Sequence, residues 1–309
     1  MLLSEVFDNY IRDIVLFSGQ SSSTAGHVRR TKKRLLSCVG DIDISDLTFE
    51  NIVKFKTHIE QTCGVNGTRQ FIIKLRNVLR YARQRGITCI DYDTIKLPKV
   101  QVTKVSFCTP EEVTRLINAC AHTKLTMHRL RDRAIISLLY ASGLRLSELC
   151  GLNIDQINET RRFTVIGKNG KQRLCFFDER SERYMNEYIK ARREGYKVYW
   201  TYKGKPSKEV RRYYPPDTNE ALFINCITGR RIQASGVQLL FTNVARIAGM
   251  RHIHPHVLRH SFATNMMENN APLHTVSRMM GHSSVAVTSI YLHTVDNHLQ
   301  EDHAKYHTI

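Results

Sequence analysis

Arg162-Phe-Thr-Val-Ile-Gly-Lys-Asn-Gly-Lys-Gln-Arg-Leu-Cys-Phe-Phe177 decides how the chain is read. Two runs in it, from Arg162 and from Gln172, alternate as half-buried strands do and are rich in β-branched and aromatic residues. Lys168-Asn-Gly-Lys171 joins them, and Asn-Gly is a strong hairpin signal because both residues tolerate the positive φ of a tight turn. A short antiparallel sheet is expected over 161–177. Nearly every other segment shows helical spacing, so the expected class is mainly α with a small antiparallel β-sheet.

Working outward, Thr109-Pro-Glu-Glu is a helix start with proline at its first position. Helices are expected near 110–122, 129–142 and 179–193, with several more from 233 to the end. The first hundred residues read as all-helical, with helices near 3–18, 25–38, 48–62 and 68–85. Ser21-Ser-Ser-Thr24 and Asp46-Leu-Thr48 offer helix caps. In the fourth helix Phe71, Ile72, Leu75, Val78, Leu79 and Ala82 form the apolar stripe, while Arg69, Lys74, Arg76, Arg80 and Arg83 take other positions. The second helix carries Arg29, Arg30, Lys32 and Lys33, and neither helix holds an acidic residue. These residues are the candidates for contact with a phosphate backbone. The stretch 95–107 lacks helical periodicity and contains proline. The expected division is a helical DNA-binding domain over 1–94, a linker over 95–107 and a mixed α/β domain over 108–309.

Lysine plus arginine number 46 against 28 acidic residues, a formal charge of +18. Such an excess points to a polyanionic partner, nucleic acid first, with a merely solvated basic surface as the competing reading. The 8 cysteines form no Cys-x-x-Cys pair and have no zinc-site spacing, so reduced thiols in a cytoplasmic protein are expected. The start of the chain lacks the basic and apolar regions of a signal peptide, and no stretch reaches membrane-spanning length.

Phosphoryl transfer without metal needs a nucleophile, cations that bracket the non-bridging oxygens, and an acid for the leaving alcohol. Arg145, in Ala141-Ser-Gly-Leu-Arg-Leu-Ser-Glu148, follows an apolar helix and offers a planar fork suited to phosphate. Its other use is a local pair with Glu148. Lys168 at the hairpin tip is placed to protonate a departing oxygen, with Lys171 as the alternative. In His254-Pro-His-Val-Leu-Arg-His260, His256 and Arg259 share one helical face at i and i+3. Zinc binding by His254, His256 and His260 is the rival use of that motif, but no cysteine or carboxylate completes the set. His282 follows Gly281, and Tyr291 lies nine positions after it (291 minus 282). The apolar spacing of Val285 to Leu292 can anchor a helix from which the phenol projects, with Arg145 and Arg259 lowering its pKa.

This order and spacing resemble the tyrosine recombinase (phage integrase) family, most closely its Xer-like bacterial members, along nearly the whole chain. The resemblance implies a core-binding domain and a catalytic domain clamped on double-stranded DNA. It implies attack by Tyr291 to give a 3′-phosphotyrosine, release of a 5′-hydroxyl, and exchange through a Holliday junction. Arg145, Lys168, His256, Arg259 and His282 complete the implied catalytic set, with Glu148 orienting Arg145. No cofactor and no metal are implied. The family works as a tetramer on two DNA sites, with a partner recombinase or directionality factor in some cases, and here Leu292 to Ile309 would supply the helix that docks on a neighbouring subunit. One departure is Glu194 to Glu220, a longer and more basic connection in which six aromatics alternate with lysines and arginines. It reads either as a surface loop or as an element for a specialised DNA substrate, comparable with extra structure in integron integrases. It favours a mobile-element integrase over Xer-type dimer resolution. A type IB topoisomerase and a non-catalytic DNA-binding protein are the remaining alternatives.

Overall fold

The computed structural model describes residues 1–17, 22–100, 106–123, 126–167, 170–202, 205–214, 216, 219–251, 253–282, 284, 287–289 and 291. The chain divides into two compact units, Met1–Thr103 and Lys104–Ile309.

The first unit holds four helices: α1 (Leu3–Leu16), α2 (Ser22–Val39), α3 (Phe49–Glu60) and α4 (Val65–Gln84). Thr48 caps α3 as expected, its hydroxyl accepting from the Asn51 backbone N–H, while Ser21 lies outside the described residues. The α4 stripe is buried at Ile72, Leu75, Val78, Leu79 and Ala82 and packs into a core with Phe7, Leu35, Phe55 and Ile59. Removing these apolar faces from water is what holds four amphipathic helices together.

In the second unit α5 (Pro110–Ala119) begins at the expected Thr109 cap, where the hydroxyl accepts from the Glu112 N–H. Helix α6 (Thr126–Ser142) is the central element. Ala134, Ile135, Ile136, Leu138 and Leu139 are all buried, so the helix is enclosed on several sides. It packs on α8 (Glu179–Arg193), α10 (Pro255–Glu268) and α5, and the Ser137 and Ser181 hydroxyls bond at 2.8 Å inside that core. The expected sheet is β1 (Arg162–Ile166) against β2 (Gln172–Phe176), antiparallel, with Val165 opposite Arg173. Helices α9 (Ala234–Ile247) and α11 (Leu273–Met280) complete the unit with a short α7 (Leu146–Gly151), which went unread because it spans less than two turns.

Two expectations change. Within Glu194 to Glu220, where a surface loop was one of two readings, the described residues form a hairpin: β3 (Tyr196–Tyr202) and β4 (Lys205–Tyr214) pair antiparallel from Tyr196 opposite Tyr214, with irregularities beside Tyr199. Its aromatic and β-branched alternation is itself a strand signal. The segment before Tyr291 closes i to i−3 bonds, Val287 N–H to Ser284 O and Tyr291 N–H to Thr288 O, both 3.1 Å, in place of the expected α-helix. Lys168 and the tail after Tyr291 lie outside the described residues. Among the described residues no helix is long and apolar enough to cross a membrane.

Gly143 ends α6 with φ +61°, and a Cβ there would meet the Phe262 ring at 2.5 Å. Gly143→Ala should therefore lower unfolding free energy by about 2–3 kcal/mol in urea titration. Gly151→Ala, where a Cβ meets nothing within 4 Å, should stay within about 0.5 kcal/mol of the parent.

Candidate active site

The left-handed Gly143 turns the chain out of α6, and Arg145 follows in extended backbone at the start of α7. Arg145 and Glu148 combine the two uses foreseen for them. The Arg145 N–H donates to Glu148 Oε2 at 2.7 Å, and its Nη1 donates to Oε1 at 2.9 Å. Arg145 Nη2 then reaches across to the Gly281 carbonyl at 2.8 Å. Burial works against the charge on Glu148, but the Arg145 N–H and the Arg173 guanidinium outweigh it and hold the carboxyl below its usual range.

Arg173 is the residue that sequence reading missed. It donates from Nη2 to Glu148 Oε2 at 2.6 Å and from Nη1 to the Met279 carbonyl at 2.5 Å. The signal was present in the alternation. Arg173 stands two positions from the buried Cys175 and opposite the buried Val165, so it faces inward, where an arginine needs a reason to be.

Arg259 is 5% exposed and donates to the Gly143 and Met280 carbonyls, each at 2.5 Å. Burial, then Arg145 and Arg173, push its pKa down to about 10, which leaves it charged at neutral pH. His256 lies on the solvent side of the first turn of α10, and partial desolvation, then His254 and Arg259, lower its pKa. His282 Nδ1 lies 2.8 Å from the Thr288 hydroxyl, and burial followed by Arg259 and Arg145 pushes its pKa down to about 4. Gly281 just before it has φ +63°, and a Cβ there would meet Arg173 Cδ at 2.5 Å.

Tyr291 does not project. It is 1% exposed and packs with Phe262, Met267, Val276 and Met280. Its hydroxyl lies 2.6 Å from His260 Nδ1. Burial raises its pKa to about 12 against the opposing charge of Arg259. Of the two arginines expected to lower the pKa, Arg259 is the one whose charge acts on it, and the apolar packing wins. Among the described residues no group of three or more His, Cys, Asp or Glu could hold a metal ion. The rings of His254 and His256 meet edge-on with centroids 6.2 Å apart, and His260 faces Tyr291 instead.

Of these side chains, Arg145, Arg173 and His282 border a cleft of about 910 Å³ that Lys171 and Arg278 also line. A cleft with this many cations fits a phosphate diester.

In the first unit, Arg29, Arg30 and Lys33 are exposed on α2. Other cations expected to face phosphate already have partners. Lys32 pairs with Asp8 at 2.7 Å, Arg76 with Asp93 at 2.7 Å and Arg83 with Asp91 at 2.9 Å. Arg69 donates to the Pro98 carbonyl at 2.6 Å, Arg80 lies over the Tyr92 ring at 5.1 Å, and Lys74 is half-buried. Exposed ion pairs of this kind are weak and exchange readily for a phosphate.

Residues 106–298 match the phage integrase family model, and residues 2–97 match that of the phage integrase SAM-like domain. The chain is 35% identical over 236 residues to the tyrosine recombinase XerC of Lactobacillus delbrueckii subsp. bulgaricus, covering 75% of this chain and 73% of that one. It is 29% identical over 304 residues to the tyrosine recombinase XerD of Corynebacterium glutamicum, covering 94% of each. Its fold is shared with the Tn1549 transposon integrase in complex with transposon right end DNA, at TM-score 0.73 and 17% identity over 99% of both chains. A lambda integrase dimer bound to a COC′ core site matches at TM-score 0.71 and 16% identity, over 94% of this chain and 95% of that one. The chain belongs to the phage integrase family and is a tyrosine recombinase of Xer-like type.

Proposed function

We propose that the chain is a site-specific recombinase that cleaves and rejoins double-stranded DNA through a 3′-phosphotyrosine on Tyr291 and a Holliday junction. The observation that carries this is the gathering of Arg145, Arg259 and His282 around the end of α11, with the Tyr291 segment held there through Thr288. In this reading Arg145, His256, Arg259 and His282 grip the non-bridging oxygens, and Glu148 orients Arg145. Lys168 protonates the 5′-oxygen, with Lys171, which lines the cleft, as the alternative. Charge that develops on the phosphate in the transition state then meets donors already in place.

Residues 1–94 serve as the core-binding domain, 95–107 as the linker and 108–309 as the catalytic domain. Arg29, Arg30, Lys32 and Lys33 on α2, with Arg69, Lys74, Arg76, Arg80 and Arg83 on α4, contact phosphates. The working form is a cytoplasmic homo-tetramer on two sites, with or without a partner recombinase or directionality factor. For the biological role, identities of 29–35% to the XerC and XerD relatives favour Xer-type dimer resolution. The β3–β4 hairpin favours the second reading, integration and excision of a mobile element.

The test is capture of denaturant-resistant protein–DNA adducts from cells, followed by sequencing of the attached DNA. Wild type should attach at one or a few sites, and Tyr291→Phe should give none while binding DNA normally. The captured sequence separates a chromosomal resolution site from element ends, and scattered attachment would favour a topoisomerase. On a suicide substrate, whichever of Lys168→Ala and Lys171→Ala removes the acid should slow single-turnover cleavage about 100-fold or more, and the other should stay within about threefold of wild type.

Acidification gives an independent check. His260 and His282 have pKa values near 4 in the fold, against an ordinary 6.5. Between those values the unfolded chain binds more protons, so stability is full above about pH 6.5 and falls as the pH drops toward 4. The melting midpoint should decline across that window, and less steeply for His282→Gln.

A further inference from the structure

The roles above leave one step without an agent: something must take the phenolic proton as Tyr291 attacks. The Tyr291 hydroxyl meets His260 Nδ1 at 2.6 Å, within the range for direct proton transfer. The ring centroids lie 5.8 Å apart at 49°, so the imidazole approaches the phenol obliquely and does not stack on its face. His260 sits on α10 directly after Arg259, and the two successive side chains thus serve one reaction centre from a rigid helix.

We infer that His260 is the general base for Tyr291, its Nδ1 taking the phenolic proton as the tyrosine oxygen bonds to phosphorus. The inference rests on Tyr291 being the nucleophile. The Oη–P bond forms, and the P–O5′ bond breaks with its electron pair on the 5′-oxygen, which takes a proton from a lysine ammonium of the cleft. His260 gains one proton and the lysine loses one. Rejoining runs the same transfers backward.

The surroundings of His260 suit a base that works only on bound DNA. Burial, then His256, Arg259 and His254, push its pKa down to about 4, so the ring is neutral at neutral pH and has a nitrogen lone pair to offer. A bound phosphate brings negative charge beside Arg259 and Arg145, offsets the field that opposes imidazolium, and raises the proton affinity of His260 at the moment of attack. In the free chain the transfer is strongly uphill, and the tyrosine rests as a neutral phenol. Sequence reading offered His260 only as a zinc ligand, because two positions 31 apart (291 minus 260) reveal their contact only in the fold.

The experiment measures single-turnover formation of the covalent adduct on a suicide DNA substrate by wild type, His260→Gln and His260→Asn, each first shown to bind DNA within about threefold of wild type. Both variants keep a hydrogen-bonding side chain but not a base. Each should lose about 100-fold or more in cleavage rate, the scale of a general base. Replacing Tyr291 with a difluorotyrosine, which ionises near neutral pH, should restore His260→Gln to within about tenfold of the same replacement in wild type. Variants that cleave within about threefold of wild type, or slow variants that difluorotyrosine does not restore, would overturn the assignment and leave His260 as a packing partner. Tyr291→Phe in parallel separates the two readings. A covalent adduct formed by the Tyr291→Phe protein sinks the nucleophile and the base together, whereas no adduct from that protein beside a fast His260→Gln sinks the base alone.

Discussion

Three guanidinium groups share the last turn of one short helix. Arg173 donates to the Met279 carbonyl, Arg259 to Met280 and Arg145 to Gly281. A helix end leaves its last carbonyls without intrahelical partners and carries the negative pole of the helix dipole. The end of α11 is therefore a row of acceptors that cations from three other segments can satisfy. Gly281 makes the row available, since its left-handed φ turns the chain away and its missing Cβ leaves room for the Arg173 stem. The arginines take their positions from these carbonyls and, for Arg145 and Arg173, from the Glu148 carboxylate as well, so the donors stand in place before any anion arrives.

The arrangement is also out of electrical balance. Among the described residues Glu148 answers Arg145 and Arg173, so three cations meet one carboxylate. Burial, and then repulsion from Arg145 and Arg173, depress the pKa of Arg259 to about 10. Under the proposed function the charge that balances these cations is the one a phosphate diester brings. The β1–β2 sheet serves the same end, because its register sets Arg173 inward against Glu148 while Lys171 at its edge faces the cleft.

What the sequence disclosed follows from the range of the interactions involved. The α4 stripe, the Thr48 and Thr109 caps and the β1–β2 hairpin are set by residues within one or two turns of each other, and each stands where periodicity and turn chemistry put it. Arg145 with Glu148 was legible for the same reason, at i and i+3. Arg173 with Met279 spans 106 positions and His260 with Tyr291 spans 31, and no local pattern encodes such a contact. The hairpin at Tyr196–Tyr214 was half legible, since its alternation was on view but its many cations left a surface loop and an added element equally open.

The burial of Tyr291 follows from the same anchor. Val276 and Met280 belong to α11, and they floor the small apolar cluster that encloses the phenol together with Phe262 and Met267 from α10. Holding the helix end in place for three arginines thus also holds the pocket in which the tyrosine rests, with its pKa raised to about 12. An exposed phenol among these cations would ionise more readily and meet any phosphate that drifted in. A buried one gives its proton to nothing weaker than a base in direct contact, which under the proposed function ties its reaction to the charge that DNA brings. On the proposed roles, the constraint that sets out the cations at the end of α11 is therefore also the one that keeps the Tyr291 phenol quiet until a phosphate reaches them.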